Sequence, residues 1–185
     1  MKLLGITGSL RKGSYNTALL TTAMGLLPDG VAFELVHPDL PLYNADLDGD
    51  DKPAAVVKFM GHVESADALL LASPEYNYGI PGGLKNAIDW ASRPAFESPL
   101  VAKPTGILSA SMSTIGGARA QAALKIVLAG TLTPVYPAIE YLLGSAHEKF
   151  DENGRLIDAT AERRLKRYLH GFVDWARKQD ASQEK

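Results

Sequence analysis

The sequence contains no cysteine, which excludes disulfide bonds, cysteine-ligated zinc or iron–sulfur sites and thiol nucleophiles. Apolar runs long enough to cross a membrane are also missing, because glycine, proline or a charged residue interrupts them within about ten residues. Residues 1–5 are typical of a strand and lack the apolar core and cleavage site of a signal peptide. These absences favour a cytoplasmic protein that has no membrane partner.

Charge and histidine placement narrow the candidate functions further. Lysine and arginine total 19 against 21 aspartate and glutamate, a net charge of −2, so no basic surface for nucleic acid is expected. A net charge of −2 is also too small for the strongly acidic surface with which an electron-carrier protein attracts its partners. The 4 histidines lack the spacing of metal ligands, and no metal site is predicted.

Length and composition are those of one globular domain. The chain has 185 residues, of which 46% are hydrophobic and 22% are charged, and this is ordinary globular usage. Neither an internal repeat nor a linker divides the sequence. We therefore expect a single domain over residues 1–178, followed by a polar C-terminal tail at residues 179–185.

Apolar runs alternate with amphipathic stretches along the whole chain. Short runs that are apolar on both faces predict buried strands at residues 3–7, 31–36, 68–72, 105–108 and 132–135. Helical periodicity predicts helices at residues 17–27, 52–65, 84–92 and 118–128, and a C-terminal helix that includes residues 165–176. Such alternation is typical of an α/β domain with a doubly wound parallel sheet.

The loop after the first predicted strand, residues 8–16 (GSLRKGSYN), is suited to binding a phosphate. It leads into a helix N-terminus, where free backbone N–H groups and the helix dipole attract anions. Small polar and cationic side chains add to that attraction, namely Ser9, Arg11, Lys12, Ser14 and Asn16. The glycine spacing fits neither the P-loop nor the dinucleotide pattern, so a single terminal phosphate is favoured. The alternative is that Ser14 only caps the helix and the cations are solvated.

A stiff loop follows the third predicted strand, at residues 73–83, which include two prolines, three glycines and two tyrosines. Rigid loops at strand carboxyl ends are where open α/β sheets bind ligands. Tyr76 and Tyr78 suit an aromatic wall, and Asn77 suits hydrogen bonding to a flat polar heterocycle. Packing beneath the turn is the alternative for either tyrosine. Glu75 is a candidate general base, although hydrogen bonding within its own loop is the favoured interpretation.

The loop after the fourth predicted strand, residues 109–119, is built largely from small residues. Gly116 and Gly117 precede a predicted helix and allow backbone N–H groups to approach a ligand closely. Because the three loops follow strands of one parallel sheet, we expect them to lie at the same edge and to form one ligand site.

Taken together, these loops resemble those of the NADPH-dependent FMN reductase family, which includes bacterial quinone and chromate reductases. The resemblance covers nearly the whole chain and is most specific at residues 8–16 and 74–90 (PEYNYGIPGGLKNAIDW). It implies a flavodoxin-like fold, which is a doubly wound five-stranded parallel sheet of order 2-1-3-4-5 with helices on both faces. It also implies FMN at the switch point between strands one and three.

The resemblance also implies which residues hold FMN. Its phosphate would be held by Ser9, Arg11, Ser14 and Asn16. Its isoalloxazine ring would be lined by Pro74, Glu75, Tyr76 and Asn77. The pyrimidine edge of that ring would meet Gly116 and Gly117. The cofactor-binding set is completed by Tyr15 and Ser111.

The chemistry implied for the family is hydride transfer from NADPH or NADH through flavin N5 to a small acceptor, such as a quinone, free flavin or chromate. Because the flavin itself carries this chemistry, no catalytic side chain is assigned. Met112 is bulkier than the glycine or proline common near this position in relatives, and we expect it to reshape the acceptor pocket. The helix at residues 84–90 is implied as part of a homodimer or homotetramer interface.

Two other functions stay open at this point. One is a flavodoxin-type FMN electron carrier that has no substrate of its own. The net charge of −2 and the small residues of the loop after the fourth predicted strand, which leave room for a ligand, favour the enzyme. The other is a protein that binds a phosphate-bearing ligand without a flavin.

Overall fold

Five parallel strands form the centre of the molecule, which is described here by a computed structural model of residues 1–183. The strands are β1 (Lys2–Thr7), β2 (Ala32–Val36), β3 (Ala68–Ala72), β4 (Thr105–Ala110) and β5 (Tyr141–Leu143). All pair in parallel, in the order β2-β1-β3-β4-β5. The flavodoxin-like fold and the strand order 2-1-3-4-5 are therefore confirmed.

Helices cover both faces of this sheet, as expected. They are α1 (Tyr15–Met24), α2 (Ala54–Glu64), α3 (Gly82–Ala91), α4 (Ala118–Gly130) and α5 (Ala159–Gln183). One buried cluster packs α1 and α5 against strand residues that include Leu3 and Leu70. The other packs α2, α3 and α4 against strand residues that include Leu4 and Leu71. Because successive side chains of a strand point to opposite faces, β1 and β3 must be apolar on both, which explains their continuous apolar runs.

The C-terminal helix extends beyond the predicted domain limit at residue 178. Helical backbone continues in α5 to Gln183 and so enters the segment 179–185 that the sequence assigns to a polar tail. Glu184 and Lys185 lie outside the described residues. None of the described helices combines the length and the apolarity needed to span a membrane.

The strand predicted at residues 132–135 is wrong, because the fifth strand is Tyr141–Leu143. The predicted segment touches the sheet at one point, where the Thr105 N–H donates to the Pro134 carbonyl at 2.9 Å and Val135 forms an isolated bridge to Thr105. Proline has no N–H to donate, and Leu132 has a left-handed backbone with φ of 56°. The ladder therefore cannot extend there, and the chain pairs again only at Tyr141.

The short fifth strand leaves part of β4 without a backbone hydrogen-bond partner. The side chain of Tyr168 in α5 accepts a hydrogen bond there instead. The Ile107 N–H donates to the Tyr168 hydroxyl at 2.9 Å. Burial raises the pKa of Tyr168 above its ordinary value, so the hydroxyl stays neutral at any physiological pH. A side chain of the covering helix thus completes the hydrogen bonding of an inner strand.

We predict that Tyr168→Phe destabilises the fold by about 1–3 kcal/mol, because the buried Ile107 N–H loses its acceptor. Urea unfolding of the variant and the parent chain measures this difference. The control is Tyr136→Phe, which removes a neighbouring tyrosine hydroxyl for which the described residues show no hydrogen bond, while the ring packing is kept. Equal stability losses in the two variants would show that the Ile107 bond contributes nothing.

Candidate active site

Three loops meet at the carboxyl edge of the sheet, and each begins while its strand is still paired. The Gly8 N–H donates to the Ala72 carbonyl at 2.8 Å, directly after β1. The Ser73 N–H donates to Leu108 and the Ser111 N–H to Leu143, both at 3.0 Å. The loops after β1, β3 and β4 are thus held side by side, as we expected for one ligand site.

The loop after β1 forms a cradle at the start of α1. Ser14 is the N-cap, and its hydroxyl accepts a hydrogen bond from the Thr17 N–H at 3.3 Å, which confirms its predicted capping role. The Ser9 hydroxyl accepts from the Arg11 N–H at 3.4 Å. Both serines are buried, whereas Arg11 is exposed and its guanidinium lies 5.4 Å from the centre of the Tyr15 ring. Backbone N–H groups in the first turn have no intrahelical acceptor, so the cradle suits an anion.

Asn16 has a structural role that its position in the sequence does not reveal. Its side-chain NH₂ donates to the Ala110 carbonyl, and its side-chain oxygen accepts from the Ala110 N–H, both at 2.9 Å. The side chain is buried and joins α1 to the end of β4. Both the oxygen and the nitrogen of the side-chain amide are therefore engaged within the protein, and the backbone N–H of Asn16 lies in the first turn of α1.

The loop after β3 contains a tight hairpin. Tyr76 and Gly79 exchange two backbone hydrogen bonds of 3.1 and 2.9 Å. Asn77 and Tyr78 between them have φ of 49° and 65°, as in a type I′ turn. Tyr76 is 51% exposed and Tyr78 is 70% exposed, so neither ring is packed beneath the turn. Pro74 is buried at the base of this loop, and the rings are available as an aromatic wall.

The loop after β4 brings its backbone close to the sheet. Gly116 and Gly117 have φ of 69° and 89°, and a Cβ added at Gly117 would lie 2.9 Å from the Ser109 Cβ. Glycine is therefore required here for both conformation and space. Sequence reasoning missed the two residues beneath this turn, Ser109 and Gln121. The buried Ser109 hydroxyl donates to the Gly116 carbonyl at 2.6 Å and accepts from the Gln121 side-chain NH₂ at 2.8 Å.

Glu75 links the loop after β3 (the second loop) to the loop after β4 (the third loop). Its carboxylate accepts hydrogen bonds from the Arg119 N–H at 3.0 Å and the Ala120 N–H at 3.2 Å, in the first turn of α4. The Arg119 guanidinium lies 3.4 Å from the same carboxylate and 4.2 Å from the centre of the Tyr78 ring. The expectation that Glu75 bonds within its own loop is therefore wrong, because its partners lie on the neighbouring loop and helix.

Exposed apolar side chains surround these groups at the same edge, namely Leu10, Tyr76, Tyr78, Met112 and Ile115. Ser111 lies among them, at the start of the third loop. Among the described residues, no group of three His, Asp or Glu side chains could hold a metal ion. The arrangement suits a ligand with an anionic end and a flat, polar heteroaromatic body, and FMN has both.

Comparison with known proteins decides the family. The model of the family described as NADPH-dependent FMN reductase matches residues 1–148. The chain belongs to the NADPH-dependent FMN reductase family. An NAD(P)H-dependent FMN reductase of Pseudomonas aeruginosa is 46% identical to this reductase over 181 residues, 96% of each chain. A quinone reductase of Pseudomonas putida is 38% identical over 170 residues, 91% of this chain and 89% of that one.

A solved structure is similar over the same length of this reductase. FerB, a flavoenzyme NAD(P)H:(acceptor) oxidoreductase from Paracoccus denitrificans, has a TM-score of 0.87 and 36% sequence identity, over 96% of this chain and 98% of FerB. The assignment as an NAD(P)H-dependent oxidoreductase is thereby confirmed, and it disfavours a carrier without its own substrate.

The interface implied for the helix at residues 84–90 stays a prediction. Within α3, Leu84 and Trp90 are buried inside the chain, and the Trp90 ring N–H donates to the Pro41 carbonyl at 2.8 Å. The ion pair of Lys85 and Asp89 is on the more exposed side of the helix. Any subunit contact through α3 would therefore involve polar residues.

We predict that Asn16→Ala lowers the free energy of unfolding by about 1–3 kcal/mol or more, because it leaves the buried N–H and C=O groups of Ala110 without partners. Urea unfolding of the protein without added ligand measures the loss. The matched control is Asn153→Ala, at an exposed turn position, for which little change is expected. A loss no larger than that of the control would contradict the assigned role of Asn16.

Proposed function

We propose that this reductase binds FMN at the carboxyl edge of its sheet and uses NADPH or NADH to reduce a quinone or another small acceptor. The observation that carries the proposal is the cradle at the start of α1, with two buried serine hydroxyls beside the exposed Arg11. Its relatives of 46% and 38% identity, an FMN reductase and a quinone reductase, support the cofactor and the acceptor. Use of NAD(P)H also supports the cytoplasmic location expected from the sequence.

The phosphate of FMN would be held by Ser9, Arg11, Ser14 and the first N–H groups of α1. A helix N-terminus stabilises an adjacent anion by about 0.3–1 kcal/mol where it is exposed, and by up to about 2 kcal/mol where it is partly buried. The serines are already oriented by their bonds to backbone N–H groups, so little side-chain entropy is lost on binding. Tyr15 adds a ring beside the Arg11 guanidinium.

The flat ring system would lie among Pro74, Tyr76, Asn77 and the two glycines of the third loop. Bound FMN supplies the hydride chemistry at N5, and the protein positions it and excludes water. Gly117 and Ala118 have N–H groups without intrahelical acceptors at the start of α4, and these suit the carbonyl edge of a flavin. No acid or base side chain is needed, in agreement with the absence of an assigned catalytic residue.

The acceptor would enter across the exposed apolar side chains at this edge of the sheet, called the apolar rim below. Leu10, Met112 and Ile115 are exposed there beside the two tyrosine rings. Desolvation of such a surface favours a flat, weakly charged acceptor, so a quinone fits it better than the strongly hydrated chromate ion. One NAD(P)H and one proton would convert one quinone to its hydroquinone.

We predict that the chain reconstituted with FMN oxidises NADPH in the presence of 1,4-benzoquinone, and that Arg11→Ala/Ser14→Ala binds FMN roughly ten- to a hundredfold more weakly. Loss of hydrogen bonds to a charged group costs about 1.5–3 kcal/mol, and about 1.4 kcal/mol corresponds to a tenfold change in affinity. Quenching of flavin fluorescence during titration measures the affinity.

The control for this loss of affinity is Arg167→Ala, which removes an exposed arginine on α5. Arg11→Ala alone keeps the helix cap and should reproduce part of the loss. The proposal fails if the double variant binds FMN as tightly as the parent, or if the FMN-loaded parent oxidises neither NADPH nor NADH with any acceptor.

Substitution of Met112 tests whether the acceptor binds at the apolar rim. We predict that Met112→Ala raises kcat/KM for a bulky naphthoquinone by about tenfold relative to 1,4-benzoquinone, because removing the side chain opens the rim for the larger ring. Steady-state rates with both quinones measure the ratio. Met24→Ala changes an exposed methionine at the far end of α1 and should leave the ratio unchanged. An unchanged ratio in Met112→Ala would place the acceptor elsewhere.

A further inference from the structure

Glu75 and Arg119 form an ion pair where the second loop meets the third, and their exposures differ. The Glu75 side chain is 13% exposed, whereas that of Arg119 is 48% exposed. Solvent screens an exposed charge more strongly than a buried one. The carboxylate therefore contributes more to the electrostatic potential inside the site than the guanidinium that neutralises it at the rim.

The carboxylate also opposes a helix dipole. The start of α4 carries the partial positive charge of a helix N-terminus. Glu75 accepts from two N–H groups of that first turn, those of Arg119 and Ala120. Without this carboxylate, the positive end of α4 would favour added negative charge in the neighbouring pocket.

The guanidinium is held in place independently of this carboxylate. Arg119 stacks on Tyr78 with 4.2 Å between the guanidinium carbon and the ring centre. Tyr78 itself is in the tight hairpin of the second loop, with a φ of 65°. Such left-handed geometry is unfavourable for a tyrosine and persists only where the surroundings enforce it. The loop is thus built to keep both charges at the edge of the pocket.

We propose that Glu75 is a positioning residue whose charge, opposed by Arg119, lowers the reduction potential of bound FMN. This role rests on the proposed function. Two-electron reduction adds negative charge to the cofactor, and the nearby carboxylate makes that charge less favourable. A lower potential favours onward transfer of the electrons to the acceptor. The second and third loops therefore adjust the driving force of the reaction as well as the shape of the pocket.

The test uses variants that remove each charge with little change of shape. Glu75→Gln should strengthen binding of the reduced cofactor about tenfold relative to the oxidised one, which raises the two-electron potential by about 30 mV. Arg119→Gln should shift the potential in the opposite direction and by less, because the guanidinium is half-exposed. Because the two shifts are unequal, the potential of the double variant should lie between those of the parent and Glu75→Gln. Spectroelectrochemical titration of the FMN-loaded protein measures all four potentials.

A purely structural role predicts a different result. Loosening α4 would weaken binding of both redox forms in either variant, without shifts of opposite sign. The charge-based shifts should also shrink when the salt concentration is raised, since screening weakens them. Because Arg119 is half-exposed, its variant is expected to fold even where Glu75→Gln does not, and an absent or upward shift in that variant would still overturn the proposal.

Each outcome separates this role from the proposed function. Opposite shifts that add in the double variant, with a potential between those of the parent and Glu75→Gln, support it. If the parent binds FMN and oxidises NADPH but the variants leave the potential unchanged or shift it in the same direction, this role is overturned and the proposed function stands. If the parent binds no FMN, both are overturned.

Discussion

Parallel pairing of all five strands is the constraint on which the rest of the structure depends. It requires each strand to be followed by a crossover, so the carboxyl ends of β1, β3 and β4 lie at one edge. Between β1 and β3 the chain changes direction across the sheet, and this leaves a crevice beside α1. The N-terminus of α1 and the loops after β3 and β4 meet at that edge.

Three polar contacts then join neighbouring loops into one site. Asn16 joins α1 to β4, and Glu75 joins the second loop to α4. Ser109 supports the turn of the third loop through Gly116. The contacts of Asn16 and Ser109 satisfy backbone groups that would otherwise be buried without partners, so breaking either one costs stability as well as geometry. Under the proposed function, such preorganisation suits a reductase whose cofactor carries the chemistry, because the protein would only have to hold the flavin ring and the acceptor in position.

The same edge combines charges and apolar surface in separate places. Arg11 lies at the anion cradle, and the Glu75–Arg119 pair lies between the second and third loops. Met112 and Ile115 extend the apolar rim above them. Under the proposed function, this separation would let polar contacts hold the cofactor, while a flat quinone would meet a surface with few polar groups.

Local signals in the sequence determined the fold class, most of the elements and the positions of the loops. Apolar runs on both faces identify buried strands, and Ser14 caps its helix through a residue only three positions away. Side-chain partners distant in the chain could not be predicted, since Asn16 meets Ala110 across 94 residues and Glu75 meets Arg119 across 44. The last strand was misplaced for a related reason. The three residues Tyr141–Leu143 form a strand because they pair with the free edge of β4. That edge exists only once the sheet has assembled, so the local sequence does not reveal it.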